Sequence, residues 1–130
     1  MAIFTHVTVG TNNLEKARQF YDAVLAPLGL KRLKDFGDGG SCWGQTSEEF
    51  MVLKPANGQP ATHANGGTIG FTVASQEQGN AWHKAGVAHG GKSIEDPPGI
   101  RQGSAGPIYL AYLRDPDGNK LCALHRMPAA

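Results

Sequence analysis

The chain has 130 residues, with 12 Lys+Arg against 11 Asp+Glu, which is enough for one domain with a real core. The near-neutral balance, with no basic stripe or acidic tail, argues against a nucleic-acid partner. No apolar run approaches the ~20 residues of a membrane span, so no membrane partner is expected.

The start, Met1-Ala2-Ile3-Phe4-Thr5-His6, carries no basic stretch ahead of an apolar one, so no secretory signal is expected. The 2 cysteines, Cys42 and Cys122, form no metal or redox pair. Reduced thiols in a cytoplasmic protein are the plain reading. The 18 glycines suggest many turns and close backbone approaches, as in a sheet-rich fold.

Ile3 to Gly10 alternates, with His6, Thr8 and Gly10 on one side and Val7 and Val9 on the other, and predicts a strand. Asn12 with Glu15 three residues on resembles a capping box. Leu14, Ala17, Tyr21, Val24, Leu25 and Leu28 recur at helical spacing, and Pro27 and Gly29 end that helix. Strands are expected over Leu30 to Phe36, Ser41 to Gln45 and Glu48 to Lys54. Pro55 to Gly67 is polar and aperiodic and reads as a linker.

Thr68 to Ala74 predicts a strand, and Ser75 with Gln78 caps a second helix that carries Trp82, Ala85 and Val87 and stops at Gly90-Gly91. A strand over Lys92 to Glu95 and a loop over Asp96 to Gly106 follow. Ile108 to Leu113 and Leu121 to Leu124 form a hairpin around Asp115-Pro116-Asp117-Gly118-Asn119. Pro116 fixes φ and Gly118 can take φ > 0, so a turn closing with a G1 bulge is expected. Counted outward, Tyr112 faces Cys122 and Leu110 faces Leu124.

The two halves match at an offset of 62 positions, counted on the sequence. His6 falls on Thr68, Val9 on Phe71, Asn13 on Ser75, Phe20 on Trp82, Ala23 on Ala85 and Gly29 on Gly91. The last strands also align, Phe50-Met51-Val52-Leu53 with Leu121-Cys122-Ala123-Leu124. Each half reads strand-helix-strand-strand-strand, with one sheet face covered by its helix. Two such halves side by side make a larger curved sheet around a cleft. By the pleat, His6, Thr8, Met51, Thr68, Tyr112 and Cys122 point into it.

The chain resembles the vicinal oxygen chelate superfamily, the glyoxalase/bleomycin-resistance/extradiol-dioxygenase group. The resemblance rests on His6-Val7-Thr8-Val9, on Ala17-Arg18-Gln19-Phe20-Tyr21 with Leu28-Gly29-Leu30, and on Arg114-Asp115-Pro116-Asp117-Gly118-Asn119-Lys120-Leu121. It implies an α+β fold of two paired βαβββ modules, over 1–58 and 66–127, in a single domain spanning 1–130. It also implies a homodimer. Metal enzymes of the group hold a divalent ion with His or Glu/Gln from four cleft positions, and the ion stabilises an enolate-like anion. Carried onto this chain, those positions fall on His6, Met51, Thr68 and Cys122. Met and Thr are poor ligands for such ions, and one His is not a site. No cofactor is therefore expected. A divalent metal would need ligands from shifted positions, such as Glu49 beside His6.

The remaining candidates each carry two readings. His6 is a lone base or ligand donor, or an ordinary cleft residue. Cys122 is a thiolate activated by His6, or a small buried residue. Tyr112 offers its hydroxyl to a ligand or packs. Trp43 stacks on a ligand or packs in the core. Arg101 closes over the cleft onto a carboxylate or phosphate, or is a solvated loop charge. His63, His89 and His125 read as surface residues, and His83 as a partly exposed helix residue.

Two functions are expected from the resemblance. The first is a small-molecule-binding protein with a degenerate metal site, holding its ligand with His6, Thr8, Thr68, Tyr112 and Arg101. The second is a lyase or isomerase resembling lactoylglutathione lyase. Metal-free acid/base catalysis by His6 and Tyr112 is a third. Whether the protein is an enzyme stays open at this point.

Overall fold

The computed structural model describes residues 3–127, so both ends of the expected 1–130 domain lie outside the described residues. In chain order the elements are β1 (Val7–Gly10), α1 (Leu14–Leu25), a 3-10 turn (Ala26–Leu28), β2 (Lys31–Asp35), β3 (Gly40–Gly44) and β4 (Phe50–Leu53). There follow β5 (Ile69–Thr72), α2 (Gln76–Ala88), β6 (Lys92–Ser93), β7 (Gly99–Gly103), β8 (Gly106–Arg114) and β9 (Lys120–Arg126). The architecture is α+β, two strand-helix-strand modules paired around a cleft.

Two hydrogen-bonded sheets carry the strands. One runs β1-β4-β3-β2, the other β5-β9-β8-β6, with β7 also on β8. Pairing is parallel where a helix intervenes between β1 and β4 and between β5 and β9, and antiparallel at the hairpins. The offset of the repeat holds in register. Val7 pairs with Phe50 as Ile69 pairs with Leu121. The strands of the expected curved mixed sheet fall into two hydrogen-bonded sheets, each with an edge strand (β1 or β5) at the seam between them.

The helices start where the sequence offers a side-chain acceptor. Asn13, rather than Asn12, caps α1, accepting from the Lys16 amide at 3.1 Å. Asn12 is used elsewhere. Its Nδ2 donates to the Ala61 carbonyl (3.0 Å) and its Oδ1 accepts from the Ala61 amide (2.7 Å), which pins the linker. Ser75 caps α2 through the Gln78 amide at 3.1 Å. Gly29, at φ 78°, ends the first helical segment.

The face of each sheet that meets its helix is the core. Val9, Trp43, Phe50 and Val52 pack on Phe20, Tyr21, Val24 and Leu25, and Tyr109, Ala111, Leu113, Leu121 and Ala123 pack around Trp82. Phe50 and Phe71, with ring centroids 5.4 Å apart, join the two halves on this side.

One expectation fails in the second half. Asp96 to Gly106 is not a loop throughout, because Gly99–Gly103 forms β7 against β8. Pro97-Pro98 interrupts an edge that β6 begins and β7 resumes. The glycine-rich composition hid a strand whose pairing is supplied by β8.

The turn of the last hairpin is held from inside. Asp115 Oδ1 accepts from the amides of Asp117 and Asn119 (2.9 Å each), and its Oδ2 accepts from Asn119 Nδ2 at 2.8 Å. Tyr21 Oη, from the other half, donates to the same Oδ2 at 2.5 Å. Asn119 Nδ2 also donates to the Gly10 carbonyl at 3.1 Å, and the Asn12 amide donates to Asp117 Oδ1 at 2.7 Å. Gly118 takes φ 90°, as the bulge requires. This turn therefore clamps β1 and α1 of the first half to the hairpin of the second. Burial raises the Asp115 pKa and pushes that of Tyr21 well up.

Candidate functional site

Strand pleating leaves one face of each sheet without a helix. On the first sheet Thr8, Met51 and Cys42 lie side by side across three strands, because Thr8 pairs with Met51 and Met51 with Cys42. On the second, Gly70, Cys122 and Tyr112 lie side by side in the same way. The next row is Thr72, Leu124 and Leu110. The pairing of Tyr112 with Cys122 and of Leu110 with Leu124 follows the count from the turn.

At the seam the two open faces meet a cavity of about 280 Å³, lined by Thr8, Val9, Gly10, Thr68, Ile69, Asn119, Lys120 and linker residues including His63. The structure thus brings Thr8 and Thr68 to one cavity. His6 lies one residue ahead of β1, exposed, with Nδ1 2.9 Å from Thr5 Oγ1. Glu49 is likewise exposed ahead of β4, beside His6, since the Val7 amide donates to the Glu49 carbonyl at 3.0 Å. Met51 is half-buried on the open face of its strand.

Of the two readings of Trp43 the structure has core packing, and Arg101 meets neither of its two readings. Trp43 faces the helix. It is fully buried against Tyr21 and Phe50, and its Nε1 donates to Asp22 Oδ1 at 2.9 Å. It cannot stack on anything held by the open face, because strand alternation sends it to the side opposite Cys42. Arg101 sits on β7, and its Nη1 and Nη2 donate to the carbonyls of Asp96, Pro97, Gly99 and Leu110 at 3.0–3.2 Å. Its guanidinium staples the interrupted strand instead of reaching over the cleft.

Cys122 is 8% exposed, and burial is the main cause that pushes its thiol above the ordinary range. His6 makes no contact that would offset this. Cys42, also buried, is shifted the same way for the same leading reason. Neither is a ready thiolate. Of the other histidines, His63 lies against Gly118, His83 Nε2 is 2.9 Å from Ser93 Oγ, and His125 Nδ1 is 3.2 Å from the Val73 carbonyl.

The four positions where the resemblance would put a divalent metal hold His6, Met51, Thr68 and Cys122. Their donors are one imidazole, one thioether, one hydroxyl and one buried thiol whose ionisation burial opposes. That set does not fit a hard or borderline cation. Glu49 beside His6 brings the imidazole and carboxylate donors that such ions prefer to two. Among the described residues no group of three His, Cys, Asp or Glu side chains is placed to hold an ion.

The sequence reading passed over Lys120 and Glu95. Lys120 begins β9 on the open face, lines the seam cavity and pairs with the Glu95 carboxylate. Its Nζ lies 5.0 Å from the Tyr112 ring centroid. The signal was present for Lys120, which flanks the turn opposite Arg114. For Glu95 it was absent, because only the interruption between β6 and β7 brings that residue back over the sheet.

The Glyoxalase/Bleomycin resistance protein/Dioxygenase superfamily model matches residues 3–123. Among solved structures, a glyoxalase/bleomycin resistance protein from Albidiferax ferrireducens T118 is 50% identical, with a TM-score of 0.90 over 96% of this chain and 100% of that one. The hypothetical protein SA1046 from S. aureus, at 20% identity and TM-score 0.72, covers 97% of this chain and 95% of its own. A lactoylglutathione lyase from Agrobacterium tumefaciens, at 16% identity and TM-score 0.67, covers 96% of this chain and 94% of its own, and shares the fold. No functionally curated protein matches the chain. No helix among the described residues is long and apolar enough to cross a membrane.

Proposed function

We propose, since the chain belongs to the glyoxalase/bleomycin resistance protein/dioxygenase superfamily, that it binds a small organic molecule on its paired open faces and carries out no metal-dependent chemistry there. The observation that supports this is the composition of those faces in register. Thr8, Met51 and Cys42 on one sheet and Gly70, Cys122 and Tyr112 on the other make a mostly apolar floor with hydroxyls at its edge. Apolar lining with a few placed polar groups is what small-molecule sites use. The donors that a metal mechanism needs are replaced at three of the four positions.

In this reading Tyr112 and Met51 contact the body of the ligand, and Thr8 and Thr68 offer hydroxyls at the seam. His6 stands at the rim. The family likeness also supports a homodimer, to be measured by light scattering.

A second reading, a metal-dependent lyase, draws support from Glu49 lying beside His6. Metal analysis of protein purified without chelators separates the two. Well under one equivalent of Ni, Zn, Mn or Fe is expected. A stoichiometric metal that is lost in His6→Ala would reverse the order of the two readings. A thermal-shift screen of small acids, thioethers and aromatic antibiotics then seeks the ligand, and stabilisation should vanish in Tyr112→Ala.

A further inference from the structure

The open face of the second sheet carries a row of cations. Lys92 on β6 pairs with Arg114 on β8, and Arg114 pairs with Lys120 on β9. Leu113 and Leu121, next to Arg114 and Lys120, are buried on the helix face, and Ser93, next to Lys92, pairs with Leu113, so all three cations stand on the other face. Thr68, one residue ahead of Ile69, continues the row beside Lys120, because Ile69 pairs with Leu121. Side chains directly opposite one another lie about 5 Å apart at Cβ, and like charges placed so destabilise a sheet. Arg114 is partly used by the fold, its Nη1 donating to the Gly118 carbonyl of the turn at 2.7 Å, but Lys92 and Lys120 stand beside it with like charge.

One carboxylate answers this row. Glu95 pairs with Lys120, and it does so from a left-handed backbone, φ 58°, that a non-glycine residue rarely takes. Beside that pair lies the Tyr112 ring, 5.0 Å from the Lys120 ammonium, and beyond it the apolar row of Leu110 and Leu124. Lys120 also opens onto the seam cavity. The face therefore grades from cationic to aromatic to apolar over three rows on one side of the sheet, roughly 13 Å along the strands.

We propose that this face selects a small organic acid with an aromatic or apolar body. The acid's carboxylate takes the place of the Glu95 carboxylate on Lys120, and its body lies on Tyr112. Arg114 and Lys92 add charge behind Lys120. Glu95 is an internal stand-in for the ligand that shields the row when the site is empty, and its backbone relaxes once it is displaced. The inference rests on the small-molecule reading above and narrows it to one ligand class.

The test uses the full chain and four probes, benzoate and phenylacetate with benzamide and phenylacetamide as neutral matches, titrated by NMR. Both acids are expected to bind, each about tenfold more tightly than its amide, as a charge-assisted contact supplies. Glu95→Gln frees Lys120 and should tighten the acids by about three- to fivefold without changing the amides, the range set by a partly exposed ion pair. Lys120→Met should abolish the preference for acid over amide. If Lys120→Met does not fold, Glu95→Gln still decides.

Equal binding of acids and amides to the wild type, or no tightening in Glu95→Gln, overturns the inference. So does the absence of saturable binding of either acid up to about 10 mM, a limit near the weakest specific complexes. The small-molecule reading would survive those results if a neutral compound from the thermal-shift screen bound and was lost in Tyr112→Ala. It would fall with the inference if nothing bound at all.

Discussion

The two halves share a register and differ in how each uses it. In the first, α1 buries Leu14, Ala17, Phe20, Tyr21, Val24 and Leu25. In the second, α2 buries Trp82 and two glycines, Gly79 and Gly86. A Cβ on Gly79 would stand 2.2 Å from the Tyr109 ring, and one on Gly86 would stand 2.3 Å from Leu113 Cδ1. The first helix is held by its own bulk, the second by letting the sheet's bulk approach its backbone. The open faces diverge further. Glu49 and Lys120 stand at equivalent places, just before Phe50 and Leu121, with opposite charge. The scaffold was kept in both halves, and the faces that no helix covers were free to differ.

The sharpest break of that comparison is at the turns. The last hairpin is clamped by Asp115, whereas the link from β3 to β4, over 45–49, is exposed. Asp115→Ala strands the Asp117 and Asn119 amides and the Tyr21 hydroxyl, and should cost about 3 kcal/mol or more in urea unfolding. Ser47→Ala in the other link should stay within about 0.5 kcal/mol.

The helices give the next largest effect, with a reversed sign. Alanine in place of glycine usually stabilises a helix by about 1 kcal/mol. Gly79→Ala and Gly86→Ala should instead destabilise by about 1–3 kcal/mol, since Tyr109 and Leu113 are packed in. In α1, Ala23→Gly should follow the ordinary rule and lose about 1 kcal/mol. Stabilisation in either glycine variant would remove the difference drawn between the helices.

A smaller change tests the open faces. Lys92→Glu puts an opposite charge across from Arg114 and should raise stability by a few tenths of a kcal/mol. The same variant should weaken phenylacetate binding, which would separate the use of the row from its effect on stability.

The smallest effect is one of pH. Where α1 meets β2 the polar links are ion pairs, Arg32 to Asp22 at 2.8 Å and Arg18 to Asp35 at 3.6 Å, but where α2 meets β6 His83 lies against Ser93. Burial lowers the His83 pKa below the usual 6.5. The unfolded chain therefore takes up the proton first as pH falls, so this contribution is present above about 6.5 and is lost below it. Amide protection, taken relative to the intrinsic exchange rate at each pH, should fall in α2 and β6 between about pH 7 and pH 5 more than in α1 and β2. In His83→Gln that difference should flatten.

Much of this was legible before folding. Alternation in Val7 to Gly10, helical spacing from Leu14 to Leu28, and the Pro116-Asp117-Gly118 turn each state a local geometry, and the structure has it. Trp43 stayed open between core and ligand, because an aromatic on a short strand reads the same on either face. Arg101 was not legible as a staple, because its partners are four backbone carbonyls and no side-chain pattern announces them. β7 was hidden because an edge strand can borrow its order from its neighbour.

The amino-acid order alone settled the paired modules and the facing pairs of the last hairpin, Tyr112 with Cys122 and Leu110 with Leu124, because these follow from period and turn chemistry. Tertiary structure alone placed the Tyr21 hydroxyl on Asp115, pinned the linker at Asn12, and brought Glu95 over Lys120. Those contacts join residues far apart in the chain or on opposite sides of a broken strand, and only closure of the fold fixes their distances.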